Sequence, residues 1–240
     1  MGQLSPPRKE STVAERKPVA VVVGATGGIG RAVTMALSEE GYALCLSGRD
    51  EAALKSMAAG LPDATWWPVD LDDAVPDVPL DLPDVDVLVH CAGVFDSGTV
   101  YDMPESQWRQ VFSVNLFGVV ELTKKLLPRL RAARGRVVLV NSTVVRRSAA
   151  GRSAYAASKE ALRVFAEALH QEELDRGIRV TTIYPGRVAT QMQRTVRRGE
   201  GGPFEPSRYL TPETVAAAVL LVLATPPDGH LTEFVLKPAR

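Results

Sequence analysis

The 240-residue chain reads as an α/β protein: a doubly wound parallel sheet of about seven strands flanked by helices, in one domain. Three observations predict it. Strand-like and helix-like patterns alternate from end to end. The first strand, 19–23, is apolar without interruption, as a strand covered on both faces must be. A glycine-rich turn joins that strand to the first helix.

Each segment follows in order. After the turn, Ile29, Val33, Ala36 and Leu37 fall on one helical face, and Gly41 stops the helix. Residues 42–46 read as the second strand. Residues 50–59 form a short helix with Ala53, Leu54 and Met57 on one side. Strands are expected at 65–69 and 85–89, and the stretch from Asp70 to Asp86 holds seven aspartates, no Lys or Arg, and Pro76, Pro79 and Pro83. Prolines at that spacing oppose a regular helix. A long helix spans 106–130, ending near Pro128 and Gly135. A strand at 136–140 follows, then a helix at 153–176 closed by Gly177 and a strand at 179–184. The last helix, 211–224, has Thr211 as its N-cap and Pro212 at its first position. Residues 232–236 make the final strand.

Composition narrows the function. Lys+Arg and Asp+Glu are 28 each, so the formal net charge is zero and general nucleic-acid binding is disfavoured. No run of about 18 apolar residues offers a membrane span. Cys45 and Cys91 make no disulfide framework and read as reduced thiols of a cytoplasmic protein. No metal-ligand spacing occurs. Residues 1–17, polar and with Pro6 and Pro7, lack a signal peptide's apolar core and read as a disordered lead-in to a domain at 18–240.

Chemistry begins at the first turn. Gly24, Thr26, Gly27, Gly28, Ile29 and Gly30 lie between strand and helix, where bare backbone and a helix N-terminus suit a pyrophosphate. The glycines fit both GxxxGxG and GxxGxxG, so the loop alone leaves two branches of dinucleotide-binding, Rossmann-type proteins open. The second strand ends in Gly48-Arg49 rather than in an acid. An acid would bind ribose hydroxyls, whereas a guanidinium suits a 2′-phosphate, so NADP(H) is expected over NAD(H). Asp70, after the third strand, is placed to accept from the adenine amino group.

Tyr155 and Lys159 stand four apart at the start of a helix and share a face. Lys159 and the helix N-terminus are expected to lower the tyrosine pKa, poising it as a general acid/base. Ser142, at the carboxyl end of the 136–140 strand, can donate to a carbonyl oxygen. Asn115, a polar amide amid apolar helix residues, needs partners and can hold a water or backbone carbonyl behind Lys159.

Taken together, the glycine loop, Ala92-Gly93, Asn115, Ser142, Tyr155-Ala-Ala-Ser-Lys159 and Pro185-Gly186 with Thr190 resemble the compact, one-domain branch of the short-chain dehydrogenase/reductases. The resemblance implies a tyrosine acid/base, a serine orienting the carbonyl, a lysine on the nicotinamide ribose, and an asparagine supporting a proton relay. It implies that Thr190 and the Val188 backbone meet the nicotinamide carboxamide. It also lays Leu71, Cys91, Ala92, Gly93, Asn115, Tyr155, Lys159, Pro185 and Gly186 along the cofactor. Two departures stand out. His90-Cys91 replaces the usual Asn-Asn, removing side-chain bracing, and Val23 replaces a usual threonine.

The expected activity is hydride transfer between NADP(H) and a carbonyl or secondary alcohol, of ketoreductase type. Epimerisation or dehydration on the same fold, and a non-catalytic NADP(H) sensor, are the alternatives. The predicted mouth carries Arg146, Arg147, Arg152, Arg187, Arg194, Arg197 and Arg198, which points to an anionic small-molecule substrate or an acidic carrier presenting one. Residues 187–210 read as a lid with a hinge at 199–202. Apolar residues on more than one face of the two long helices predict a homodimer or homotetramer.

Overall fold

The computed structural model describes residues 16–239, so all but the last two residues of the lead-in expected at 1–17 lie outside the described residues. Its last two residues are placed and paired. Arg16 donates twice to the Asp86 carboxylate, at 2.8 and 2.9 Å, and Lys17 Nζ lies 3.1 Å from Asp63.

Seven strands form one parallel sheet in the order β3-β2-β1-β4-β5-β6-β7. They are β1 (Val19–Val23), β2 (Ala43–Gly48), β3 (Ala64–Pro68), β4 (Val87–His90), β5 (Arg136–Val140), β6 (Arg179–Pro185) and β7 (Glu233–Leu236). The helices are α1 (Gly28–Glu39), α2 (Glu51–Ala59), α3 (Glu105–Phe112), α4 (Gly118–Ala133), α5 (Ser153–Glu173), α6 (Gln191–Gly199) and α7 (Pro212–Leu223).

The unbroken apolar run of β1 is explained by two cores. Val19, Val21 and Val23 face one side, with Leu88, Leu122, Leu126 and Leu162. Ala20 and Val22 face the other, with Val33, Leu37, Leu54 and Val219. Each fully buried Leu or Val contributes about 1.5–3 kcal/mol, so the centre of the sheet is its most strongly held part. The strand order reverses between β1 and β4, which opens a crevice at their carboxyl ends.

Two segments differ from the sequence expectation, and a third follows it. The helix expected at 106–130 is broken by a π-helical turn, Ser113–Phe117, and then runs through Pro128 to Ala133. Pro128 is exposed, so the carbonyl its missing N–H leaves unbonded faces water rather than the core. The lid contains the regular helix α6, which lacks a long apolar stripe and so carries little periodic signal. The acidic crossover forms no helix; Asp77 holds Lys125 at 2.7 Å. Among the described residues no helix is long and apolar enough to cross a membrane.

Candidate active site

Two cavities meet at the carboxyl edge of the sheet. The first, about 330 Å³, is lined by Gly24, Thr26, Gly27, Gly28, Ile29, Gly30, Arg49, Asp70, Leu71, Cys91, Ala92 and Gly93. The second, about 400 Å³, holds Ser142, Tyr155, Pro185, Gly186 and Val188. Ile29, Thr190 and Met192 border both.

Backbone geometry shapes the first cavity. Gly24 has φ +80°, and a Cβ there would stand 2.7 Å from the Ala92 amide nitrogen. Only glycine lets the ends of β1 and β4 approach so closely. Gly27 caps α1 without a side-chain hydrogen bond, and the first turn carries no acid. The amides of Gly28, Ile29 and Gly30 have no acceptor within the helix, so the cavity is bordered by unspent donors and a positive helix end. A Cβ on Gly28 would meet Thr190 Cγ2 at 2.7 Å, filling the space between loop and lid. Arg49 is exposed at the far end, and Asp70 Oδ1 accepts from the Asp72 amide at 3.0 Å. These residues fit a dinucleotide: bare backbone and helix dipole for the pyrophosphate, a guanidinium at the adenosine end.

Asn115 sits in the π-helical turn, fully buried. Its Oδ1 accepts from the Val94 amide at 2.8 Å, and its Nδ2 donates to the Val94 carbonyl at 2.9 Å and to Ser158 Oγ at 3.1 Å. Ser158 in turn donates to the Tyr155 carbonyl at 2.8 Å. The amide thus holds a backbone carbonyl, that of Val94, and ties the loop following β4 to the first turns of α5. Close packing holds the turn in place: a Cβ on Gly118 would stand 2.4 Å from the Leu71 carbonyl oxygen.

Lys159 is buried and lines neither cavity. Its Nζ donates to the Val140 carbonyl at 3.2 Å and lies 5.9 Å from the Tyr155 ring centroid. A Cβ on Gly93 would stand 3.5 Å from that Nζ and 3.2 Å from Asn115 Oδ1, so only a glycine separates both groups from the first cavity. Burial pulls the Lys159 pKa down to about 8.

Tyr155 corrects the sequence expectation. Its pKa is raised, not lowered, because burial outweighs the opposing pull of the Ser142 hydroxyl and the Arg152 guanidinium. Lys159 is turned to a backbone carbonyl and has itself lost part of its hold on the proton, so it does little for the phenolate. Phe95 meets the Tyr155 ring edge-on at 5.1 Å.

Thr190 and Val188 are engaged with one another. The Thr190 amide donates to the Val188 carbonyl at 2.8 Å, and Thr190 Oγ1 accepts from the Gln193 amide at 3.3 Å, capping α6. His90 retains bracing of its own kind. Thr123 Oγ1 donates to the Val119 carbonyl at 2.7 Å, so the 2.9 Å bond to His90 has the histidine Nε2–H as donor. Burial drives the His90 pKa down to about 3 and the Cys91 thiol up to about 12, so both are neutral.

The lid is clasped where a free hinge was expected. Glu200 accepts from Arg187 at 2.6 and 2.9 Å and also pairs with Arg152 and Arg197. Arg187 above all holds its carboxyl down to about 2.

Sequence reading missed Asn141, Ser158 and Glu200. Asn141 Nδ2 donates to the Lys159 carbonyl at 2.9 Å and Oδ1 accepts from the Ser142 amide at 2.8 Å, fixing β5 to α5. A polar residue ending an otherwise apolar strand, beside Ser142, is the signal that could have found it.

A family model described as short chain dehydrogenase matches residues 18–201. An uncharacterised oxidoreductase of Staphylococcus haemolyticus is 30% identical over 229 residues, covering 92% of this chain and 96% of that protein. An alcohol dehydrogenase from the archaeon Thermococcus sibiricus, solved with 5-hydroxy-NADP, superposes with TM-score 0.81 at 27% identity, over 93% of this chain and 97% of that one. Actinorhodin polyketide ketoreductase, solved as a point variant with NADPH, gives TM-score 0.81 at 28% identity, over 92% and 95% of the two chains. The chain belongs to the short-chain dehydrogenase/reductase family, a family of oxidoreductases.

Proposed function

We propose that the protein is an NADP(H)-dependent carbonyl reductase. The observation that carries this reading is the meeting of the two cavities: Ser142 and Tyr155 line one, the glycine loop and Arg49 line the other, and Ile29, Thr190 and Met192 join them. The solved relatives named above, which hold NADPH or 5-hydroxy-NADP, support the choice of cofactor.

The glycine loop, Arg49, Asp70, Leu71, Cys91, Ala92 and Gly93 would hold the dinucleotide, with Lys159 reaching its nicotinamide ribose and Val188 and Thr190 beside the carboxamide. When bound, NADPH supplies the hydride. The protein's residues handle the oxygen. The Ser142 hydroxyl donates to the substrate carbonyl as negative charge gathers there. Tyr155 then gives its phenolic proton to that oxygen. Burial keeps the tyrosine neutral, so it carries the proton this step needs. Asn115 and Asn141 are positioning residues that hold α5 against the strand ends. The ribose contact needs Lys159 to reach past Gly93, where no side chain intervenes.

The test is a fluorescence titration with NADPH and NADH in parallel. NADPH is expected to bind at least tenfold more tightly. Arg49→Ala should remove most of that preference, since hydrogen bonds to a charged group contribute about 1.5–3 kcal/mol. Equal affinities in the unaltered protein would remove the NADP(H) assignment.

The same reading extends to assembly. Phe117 beside α4 and Val164 on α5 are 58% and 51% exposed, and Ala157, Val164 and Ala168 form an uncovered stripe along α5. We propose that these faces pair about a two-fold axis in a homodimer or homotetramer. Sedimentation should show no monomer at micromolar concentration, and Val164→Glu should produce one.

A further inference from the structure

We infer that the substrate is itself an organic anion, a carbonyl compound carrying a carboxylate or phosphate, held at its charged end by Arg147 and Lys237. This deepens the reductase reading and rests on it.

The cavity that contains Ser142 and Tyr155 is lined by five cations, Arg146, Arg147, Arg152, Arg187 and Lys237, and by no Asp or Glu. The chain as a whole is neutral, so this wall is a local concentration of charge. Its members are not equivalent. Arg152 and Arg187 are both bound to Glu200. Arg146 Nη2 lies 3.5 Å from Glu233 in an exposed pair. Arg147 and Lys237 have no carboxylate within 4.0 Å among the described residues, and both are exposed to the solvent that fills the mouth.

Two partner carboxylates against five cations leave three positive charges in excess around one opening. A cleft lined by one sign of charge focuses its field and concentrates ligands of the opposite sign. The apolar part of the wall, including Phe95, Val144 and Met192, suits the carbon skeleton between the two ends. The cavity, about 400 Å³, lies within the range that encloses a whole small molecule, so the anion belongs to the substrate rather than to the surface of a carrier. Glu200 has a separate part. It fixes Arg152 and Arg187 in place and leaves Arg147 and Lys237 as the two cations with a charge to give.

Three probes test this: 4-acetylbenzoate, its methyl ester and 4-acetylphenyl phosphate. Each is titrated calorimetrically into the full chain saturated with NADP⁺. Both anions should bind at least tenfold more tightly than the ester, and their order tells carboxylate from phosphate. Added salt should weaken the anions and leave the ester nearly constant. In Arg147→Ala/Lys237→Ala the ratio of anion to ester affinity should fall close to one. In Arg147→Glu/Lys237→Glu it should invert. These residues are exposed, so neither variant threatens the core. Anions that bind no better than the ester, or a ratio unmoved by the double substitution, overturn the assignment. Turnover with NADPH separates the two readings. Reduction of all three ketones without charge preference removes the anion site and keeps the reductase. A charge-dependent affinity with no reduction of any ketone keeps the site and removes the reductase.

Discussion

Tyr155→Phe is expected to lower kcat for carbonyl reduction by about 10²–10⁴, the range that a positioned proton donor supplies. NADPH affinity and thermal stability should hold. The substitution removes one oxygen. The ring remains, with Phe95 edge-on at 5.1 Å and the backbone carbonyl still bound by Ser158 at 2.8 Å, so packing and the path of α5 are preserved. The hydroxyl is also held above its usual pKa by burial, so the phenol is uncharged in the resting protein and no ion pair is broken. The loss should therefore fall on kcat rather than on KM, because the proton is needed only as charge develops on the substrate oxygen. Ser142→Ala should fall in the same direction. The double variant should be little worse than Tyr155→Phe alone, since the two hydroxyls serve one oxygen. A Tyr155→Phe protein retaining more than a tenth of the activity would mean that another group delivers the proton. One that loses activity together with NADPH binding would mean that the ring, not the hydroxyl, is what matters.

What the sequence made legible was whatever leaves a local trace. The β1 run is apolar because both of its faces are covered, and the glycine loop reads as such because β1 and α1 bracket it. Ser142 and Tyr155, which line one cavity, stand at a strand end and a helix start, where a local pattern can place them, whereas the direction of the Lys159 ammonium, turned to the Val140 carbonyl, left no such trace. Asn115 was legible as an amide in need of partners, but not which partners. Those come from Val94 and Ser158, distant in sequence, through a π-helical turn whose position is set by Gly118 packing on Leu71. The lid was illegible for a related reason. α6 is polar, and what holds it is Glu200 reaching Arg152 and Arg187, a long-range pairing that no periodicity reports. The pKa of Tyr155 was misjudged because spacing places charges near one another without revealing how deeply they are enclosed. Burial, a property of the whole fold, set the sign.

Lys159→Met is expected to abolish turnover and yet make the cofactor-free protein more stable at neutral pH. Burial brings the Lys159 pKa from 10.5 to about 8, and among the described residues no carboxylate pairs with its Nζ, which donates to the Val140 carbonyl at 3.2 Å. A depression of that size corresponds to roughly 3 kcal/mol of destabilisation while the lysine is charged. Below pH 8 both folded and unfolded chains hold the proton, so the penalty is present in full. Between about 8 and 10.5 the unfolded chain binds more protons than the folded one, so this contribution to stability rises with pH. Replacing the ammonium with an apolar chain of similar length removes the penalty and gives up one hydrogen bond of about 1 kcal/mol. At about 2–4 °C per kcal/mol for a chain of this size, the Tm at pH 7 should rise by roughly 5 °C. The gain in Tm between pH 7.5 and 9.5 expected of the unaltered protein should shrink in the variant. A lower Tm in the variant at pH 7, or an undiminished pH dependence, would show that the ammonium is compensated inside the fold. The predicted pairing of higher stability with lost activity has a structural cause. The charge lies behind Gly93, beside the cavity assigned to the cofactor, and a group kept there against the stability of the fold is kept for the ligand it faces.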